Sequence, residues 1–190
     1  VKKLPFDGLL VACGDGQIIR KLTPAFSRKT ILYGFEKKND YRLVNYKNKG
    51  FSSEFSLVNT ENEVLDLKLN IPGRHNALNA AAAVIIALEE NISSINIQSA
   101  LSKFSGINRR MEFLGKLNST MVVDDYGHHP NEIRSTIETL RESFVDKEIT
   151  MVFQPHRYSR TSDLFTDFVE VLSLVDHLLL LDIYPAGEKA

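Results

Sequence analysis

At 190 residues, 43% of them hydrophobic, the chain can bury a sizeable core in one domain or in two small ones. A formal net charge of -1 excludes an overall basic surface for tracking nucleic acid or an anionic membrane. The single Cys13 excludes an internal disulfide framework and a cysteine-built zinc site, and suits a reducing compartment. No apolar run reaches membrane-spanning length, and no signal-peptide pattern opens the chain, which begins with Val rather than Met.

The first half begins with an apolar strand, Leu9 to Cys13, that ends at Gly14. A helix is predicted next, with Asp15 as its cap and Ile18, Ile19 and Leu22 on one face. Four strand-like runs follow, over 30–35, 41–46, 55–59 and 64–69; in the last, Leu65, Leu67 and Leu69 alternate with Asp66 and Lys68. Together they predict a parallel-sheet edge continued by an antiparallel appendage. Ile71-Pro72-Gly73-Arg74-His75-Asn76 then stops the last strand and starts an alanine-rich helix over 77–90, slim enough at Ala80 to Ala83 for another backbone to approach. A second helix is expected over 97–104. Ser105-Gly106-Ile107-Asn108 has linker composition, so the domains are expected at 1–107 and 108–190.

The second half alternates strands (111–117, 121–125, 149–154, 177–183) with amphipathic helices (130–144, 163–175). That order predicts βαβ units and a mainly parallel sheet, so the fold class is α/β. Its most informative stretch is Val122 to Glu132, where a strand enters a tight turn at Gly127 and Pro130 opens a helix bearing Ile133, Ile137, Leu140 and Phe144 on one side. Three successive strands end in polar clusters: Asp124-Asp125-Tyr126, Gln154-Pro155-His156-Arg157 and Asp182-Ile183-Tyr184-Pro185. In a parallel sheet those clusters share one edge, where ligands of α/β proteins bind.

Arg157 and Arg160, expected just before a helix starting near Thr161 or Ser162, suit a carboxylate or phosphate. Asp124, Asp125, His128, His129 and His156 also have the ligand types of a metal site, but neighbouring histidines in a turn rarely point the same way. Substrate contact therefore ranks above metal binding, and His129 is expected to cap or pack the helix. Asn76 and Asn79, three apart near a helix start, could read an adenine edge or simply cap the helix. No G-x-x-x-x-G-K-[ST] phosphate loop occurs in these residues.

Pro72 to Ala80, Arg109-Arg110-Met111-Glu112, Asp124 to Pro130, Phe153 to Thr161 and Tyr184 to Glu188 together resemble the Mur ligases, in order and over essentially the whole chain. The resemblance implies the later part of a central ATPase domain followed by most of a Rossmann-like C-terminal domain. It implies an ATP-dependent ligase of peptidoglycan biosynthesis, in the cytoplasm, that joins L-alanine to the carboxylate of UDP-N-acetylmuramate through an acyl phosphate. ATP and magnesium are the implied cofactors, with the magnesium ligands and phosphate loop expected upstream and this stretch expected to be inactive alone. By the same resemblance His75, Asn76, Asn79, Arg110 and Asp125 bind ATP: the amides take the adenine, His75 shapes the helix start, Arg110 reaches the phosphates and Asp125 holds the ribose. Tyr126, His128, His156, Arg157 and Arg160 hold L-alanine and the muramoyl carboxylate. Three alternatives stand beside this reading: a family branch that recycles a tripeptide and shares the Asp-Asp-aromatic-x-His-His-Pro turn, a non-catalytic nucleotide-binding module, and a metal-dependent hydrolase. An unpaired sheet edge in the first domain is expected to favour self-association.

Overall fold

Leu9–Cys13 forms strand β1, and the short amphipathic segment after it forms helix α1 (Gln17–Leu22), closed by a 3-10 turn, Thr23–Ala25. Strands β2 (Lys29–Gly34), β3 (Tyr41–Lys49), β4 (Ser52–Val58) and β5 (Val64–Leu69) complete a five-stranded sheet in the order β1-β2-β3-β4-β5. Pairing is parallel from β1 to β3 and antiparallel from β3 to β5, as predicted. The structure, a computed structural model, describes residues 4–189. It divides into two compact units, Val1–Ser105 and Gly106–Ala190.

Helices α2 (Arg74–Glu89) and α3 (Ser94–Lys103) close the first core. Ala77 and Ala81 are fully buried, and their small side chains let α2 lie close to Leu43, Phe55, Leu57, Leu67 and Leu69 of the sheet. Each such leucine stabilises the unit by roughly 1.5–3 kcal/mol. Asp15 does not cap α1, whose N-cap is Gly16 with no side-chain acceptor. Its carboxylate instead accepts from the N–H groups of Phe35 (2.8 Å) and Glu36 (3.0 Å) and from Asn39 Nδ2 (2.8 Å), because the loop after β2 offers three donors at once. Helix α2 begins three residues before the predicted Ala77, because Gly73 adopts φ 105, a conformation a side chain would disfavour, and so can start the helix.

In the second unit β6 (Glu112–Leu117) and β7 (Thr120–Asp124) form an antiparallel hairpin. The two-residue connection, with Asn118 at φ 55, is short enough only for an antiparallel return. Helix α4 (Pro130–Ser143) leads to β8 (Thr150–Phe153), then to α5 (Tyr158–Asp163), α6 (Phe165–Leu172) and β9 (His177–Leu180). The parallel pairing of this unit is β8 with β9, prolonged by a parallel bridge from His156 to Tyr184, while β7 takes β6 as its hydrogen-bonded neighbour. The helix expected over 163–175 is α6, shorter at both ends, and a separate, unexpected helix, α5, precedes it from Tyr158, the two meeting at Leu164. Ile133 and Ile137 of α4 pack with Phe153, Phe168 and Val171, the two phenylalanine rings 5.8 Å apart.

Candidate functional site

The turn between β7 and α4 is built by its own polar side chains. Asp125 Oδ1 accepts from the Gly127 N–H at 2.7 Å and Oδ2 from the Met111 N–H at 3.0 Å, which ties the turn to the start of β6. A Cβ on Gly127 would lie 2.8 Å from the Asp125 carboxylate, so this close approach requires glycine. His129 is the N-cap of α4: its Nδ1 accepts from the Asn131 N–H at 3.3 Å, and Pro130 fills the first helical position. The capping role expected of His129 is what the structure shows. Glu132 completes the capping box, its Oε2 accepting from the N–H groups of His128 (3.1 Å) and His129 (3.2 Å). Burial raises the Glu132 carboxyl, but those two N–H groups, the His128 charge and the Arg110 guanidinium together hold it below the usual range.

The three strand-end clusters meet in a row of rings. Tyr126 touches His128 edge-on with centroids 5.4 Å apart, His128 lies 6.4 Å from His156, and His156 lies 5.3 Å from Tyr184. The His128 ring is oriented by its Nδ1, 3.1 Å from the Tyr126 carbonyl. His156 Nδ1 is buried without a hydrogen-bond partner, an unused polar atom in the middle of the row. Arginines flank both ends. Arg109 and Arg110 stand 5.0 and 5.9 Å from the Tyr126 ring centroid, and pair with Asp124 (3.1 Å) and Glu132 (3.4 Å). At the other end Arg157 is the N-cap of α5, at φ 76, with its N–H donated to the Tyr184 carbonyl at 2.8 Å. Its exposed guanidinium makes no hydrogen bond or ion pair among the described residues. Arg160 Nη1 donates to the His156 carbonyl at 3.4 Å. Arg157 and Arg160 thus sit at and within a helix start, not in the loop before it.

Arg109, Met111 and Arg157 all have positive φ, at 59, 50 and 76, so backbone strain gathers around this row. Glu188 closes the far side, accepting from Ser159 Oγ (2.6 Å) and the Ser159 N–H (3.0 Å), which keep its carboxyl below the usual range. Tyr184, Arg109, Glu132 and Glu188 escaped the sequence reading as site residues. Tyr184 was within reach, since it stands in the third strand-end cluster. Glu132 was legible as the acid three residues after a capping residue, whereas Glu188 acts through a contact with Ser159 that no spacing reveals.

The remaining predicted residues lie in the first unit. His75 is half-buried at the start of α2, Asn76 Nδ2 donates to the Pro72 carbonyl at 2.7 Å, and Asn79 is exposed. Asn76 is not the helix cap, because it lies inside α2, whose N-cap is Gly73. Among the described residues no group of three or more His, Cys, Asp or Glu is placed to hold a metal ion. Asp124 is paired with Arg109, Asp125 with backbone N–H groups, and His129 caps α4. Among the described residues no helix is long and apolar enough to cross a membrane.

Fold and row define a class: a two-unit α/β protein whose second unit presents imidazole, phenol and guanidinium groups at strand ends, suited to an anionic ligand. Residues 1–87 match the Mur ligase middle domain and residues 109–190 the Mur ligase glutamate ligase domain. The chain belongs to the Mur ligase family. It is 51% identical over 198 aligned residues to a UDP-N-acetylmuramate–L-alanine ligase of Baumannia cicadellinicola subsp. Homalodisca coagulata, a match covering 100% of this chain and 40% of that relative. Among solved structures it resembles the UDP-N-acetylmuramate–alanine ligase MurC from Thermotoga maritima, with a TM-score of 0.76 and 28% identity over 93% of this chain and 38% of that one. It also shares the fold of the MurF ligase from Thermotoga maritima in complex with ADP, with a TM-score of 0.70 and 18% identity over 92% of this chain and 40% of that one. The chain spans about 40% of the length of the curated relative it matches.

Proposed function

We propose that the protein containing this chain is an ATP-dependent ligase that joins L-alanine to the carboxylate of UDP-N-acetylmuramate, for peptidoglycan biosynthesis in the cytoplasm. The observation that carries this reading is the flanked row Tyr126, His128, His156 and Tyr184. It occurs in a chain 51% identical throughout to a ligase of that name. In this reading Arg157 and Arg160 take carboxylate groups, and His128 and His156 orient the amino acid. Tyr126 walls the row beside Arg110, which turns toward phosphate. Guanidinium groups fit these anions because they combine charge with paired donors.

ATP supplies the phosphoryl group that converts the muramoyl carboxylate into an acyl phosphate. Taken by itself, the first unit offers the exposed Asn79 carboxamide to a nucleotide base, and Asn76 could join it only by releasing Pro72. Taken by itself, the second unit offers the Arg110 guanidinium to phosphate, and Asp125 retains lone pairs for hydroxyls beyond the two N–H groups it accepts. Among the described residues no group of three or more His, Cys, Asp or Glu is placed to hold magnesium. What these side chains contribute is positioning and charge stabilisation, the main demands of phosphoryl and acyl transfer.

The test is phosphate release from ATP by the full-length protein with UDP-N-acetylmuramate and either L-alanine or the cell-wall tripeptide. Release with L-alanine is the expected result. Release with the tripeptide alone would move the protein to the recycling branch, and release with neither would refute the ligase reading. The 190-residue chain alone, which has no phosphate-loop motif, is expected to release none. We also propose that the first unit self-associates through its outer strands.

A further inference from the structure

Glu132 carries more contacts than a helix cap needs. A capping box asks the third helical residue for one acceptor oxygen, which glutamine provides as well as glutamate. Here Oε2 accepts from the His128 and His129 N–H groups at 3.1 and 3.2 Å, and the same oxygen lies 3.7 Å from the His128 ring Nδ1. The second oxygen, Oε1, accepts from Arg110 Nη1 at 3.4 Å. One carboxylate therefore reaches both side chains that flank Tyr126: the His128 ring meets the Tyr126 ring at 5.4 Å and the Arg110 guanidinium at 5.9 Å.

We infer that Glu132 is a positioning residue, which uses its negative charge to set the Arg110 guanidinium relative to the His128 ring, whose Nδ1 is also held by the Tyr126 carbonyl at 3.1 Å. The roles of those two groups rest on the ligase reading; the positioning does not. An exposed ion pair is ordinarily weak, because two flexible side chains must be ordered to form it. Glu132 escapes most of that cost, since two backbone N–H groups already fix its carboxylate and only the partner remains to be ordered. Arg110 gains most from this arrangement. It lies in a loop between two positive-φ residues, Arg109 and Met111, and its side chain is about half exposed, so nothing else in the loop confines it. The other charges near the pair are Arg109, engaged by Asp124, and Asp125, engaged by backbone. Neither competes for Arg110 or His128.

The deciding comparison is Glu132→Gln against Glu132→Ala in the full-length protein. Glutamine keeps the cap and removes the charge. We expect E132Q to melt within about 2 °C of wild type while KM for ATP and for L-alanine each rise about three- to tenfold and KM for UDP-N-acetylmuramate is unchanged. E132A is expected to show the same KM changes with a lower melting temperature, since it also loses the cap. A cap without a positioning role predicts wild-type KM values for E132Q, and that result would overturn the inference. Relaxation of the Arg110 Nε–H group by NMR gives a readout independent of turnover. Its order parameter should fall below about 0.6 in E132Q, and an unchanged value would overturn the inference even if the ligase reading fails.

Discussion

Arg157 combines a committed backbone with an uncommitted side chain. Its N–H is held by the Tyr184 carbonyl, its carbonyl accepts from Thr161 Oγ1 at 2.8 Å, and its φ of 76 accompanies both contacts. The guanidinium is left exposed beside the ring row, where it contributes little to folding and much to an anion. Arg157→Ala should therefore leave the unfolding midpoint unchanged while raising KM for L-alanine about 10- to 100-fold, the worth of one charge-assisted hydrogen bond. Steady-state kinetics with L-alanine as the varied substrate, beside a melting curve, would check it; an unchanged KM would remove Arg157 from the site. The arginine and its strand-end place are legible in the sequence. Its positive φ is not, because one of the two contacts that go with it is to Tyr184, 27 residues further along.

Element by element, the second unit is fastened at the end opposite the ring row. Asp176 Oδ2 accepts from the Ile149 N–H and from Arg141 Nη2, both at 2.7 Å, joining the end of α4 to the starts of β8 and β9. The Ile149 N–H first, and then Arg141, hold the Asp176 carboxyl below its usual range. A folded-state value lower than the unfolded one means stabilisation that is fully present above the unfolded carboxylate range. It is lost as the pH falls through the lowered value. Asp176→Asn should lower the urea midpoint at pH near 7, and its difference from wild type should shrink toward about pH 3. A difference that stays constant with pH would show that the clamp is not ionic. Periodicity makes α4 visible, since Ile133 and Ile137 recur on one face, and alternation makes β5 visible. The break at Leu164 is hidden because α5 buries no residue, so no apolar period marks it off from α6; the packing of Phe168 and Val171 against Phe153 shows where the chain re-enters a helix.

For the whole molecule, exposed apolar surface is the feature with consequences. Strands β1 and β5 are the outer strands of the five-stranded sheet, and Ile18 (74% exposed) and Leu22 (49%) turn the apolar face of α1 outward. Unpaired strand edges next to such a face are templates for association. Sedimentation of the 190-residue chain should show a molecular weight that rises with concentration, and a monomer at every concentration would end the self-association proposal.

Hydrophobic period, turn residues and strand-end chemistry are local properties, so they are written in the order of the residues. From them came the α/β class, the parallel-then-antiparallel sheet, the strand–turn–helix at Asp124 to Pro130 and the choice of His128, His156 and Arg157. Which groups then meet depends on contacts between residues far apart in sequence, which no local pattern encodes. Only the tertiary structure sends Asp15 to the loop after β2 rather than to α1, Asn76 to Pro72 rather than to a cap, and β7 to β6 rather than to β8. Folding also brings Tyr184 onto His156 and Arg110 onto Glu132, because the parallel extension of β8 and the strained entry to β6 bring those side chains within reach.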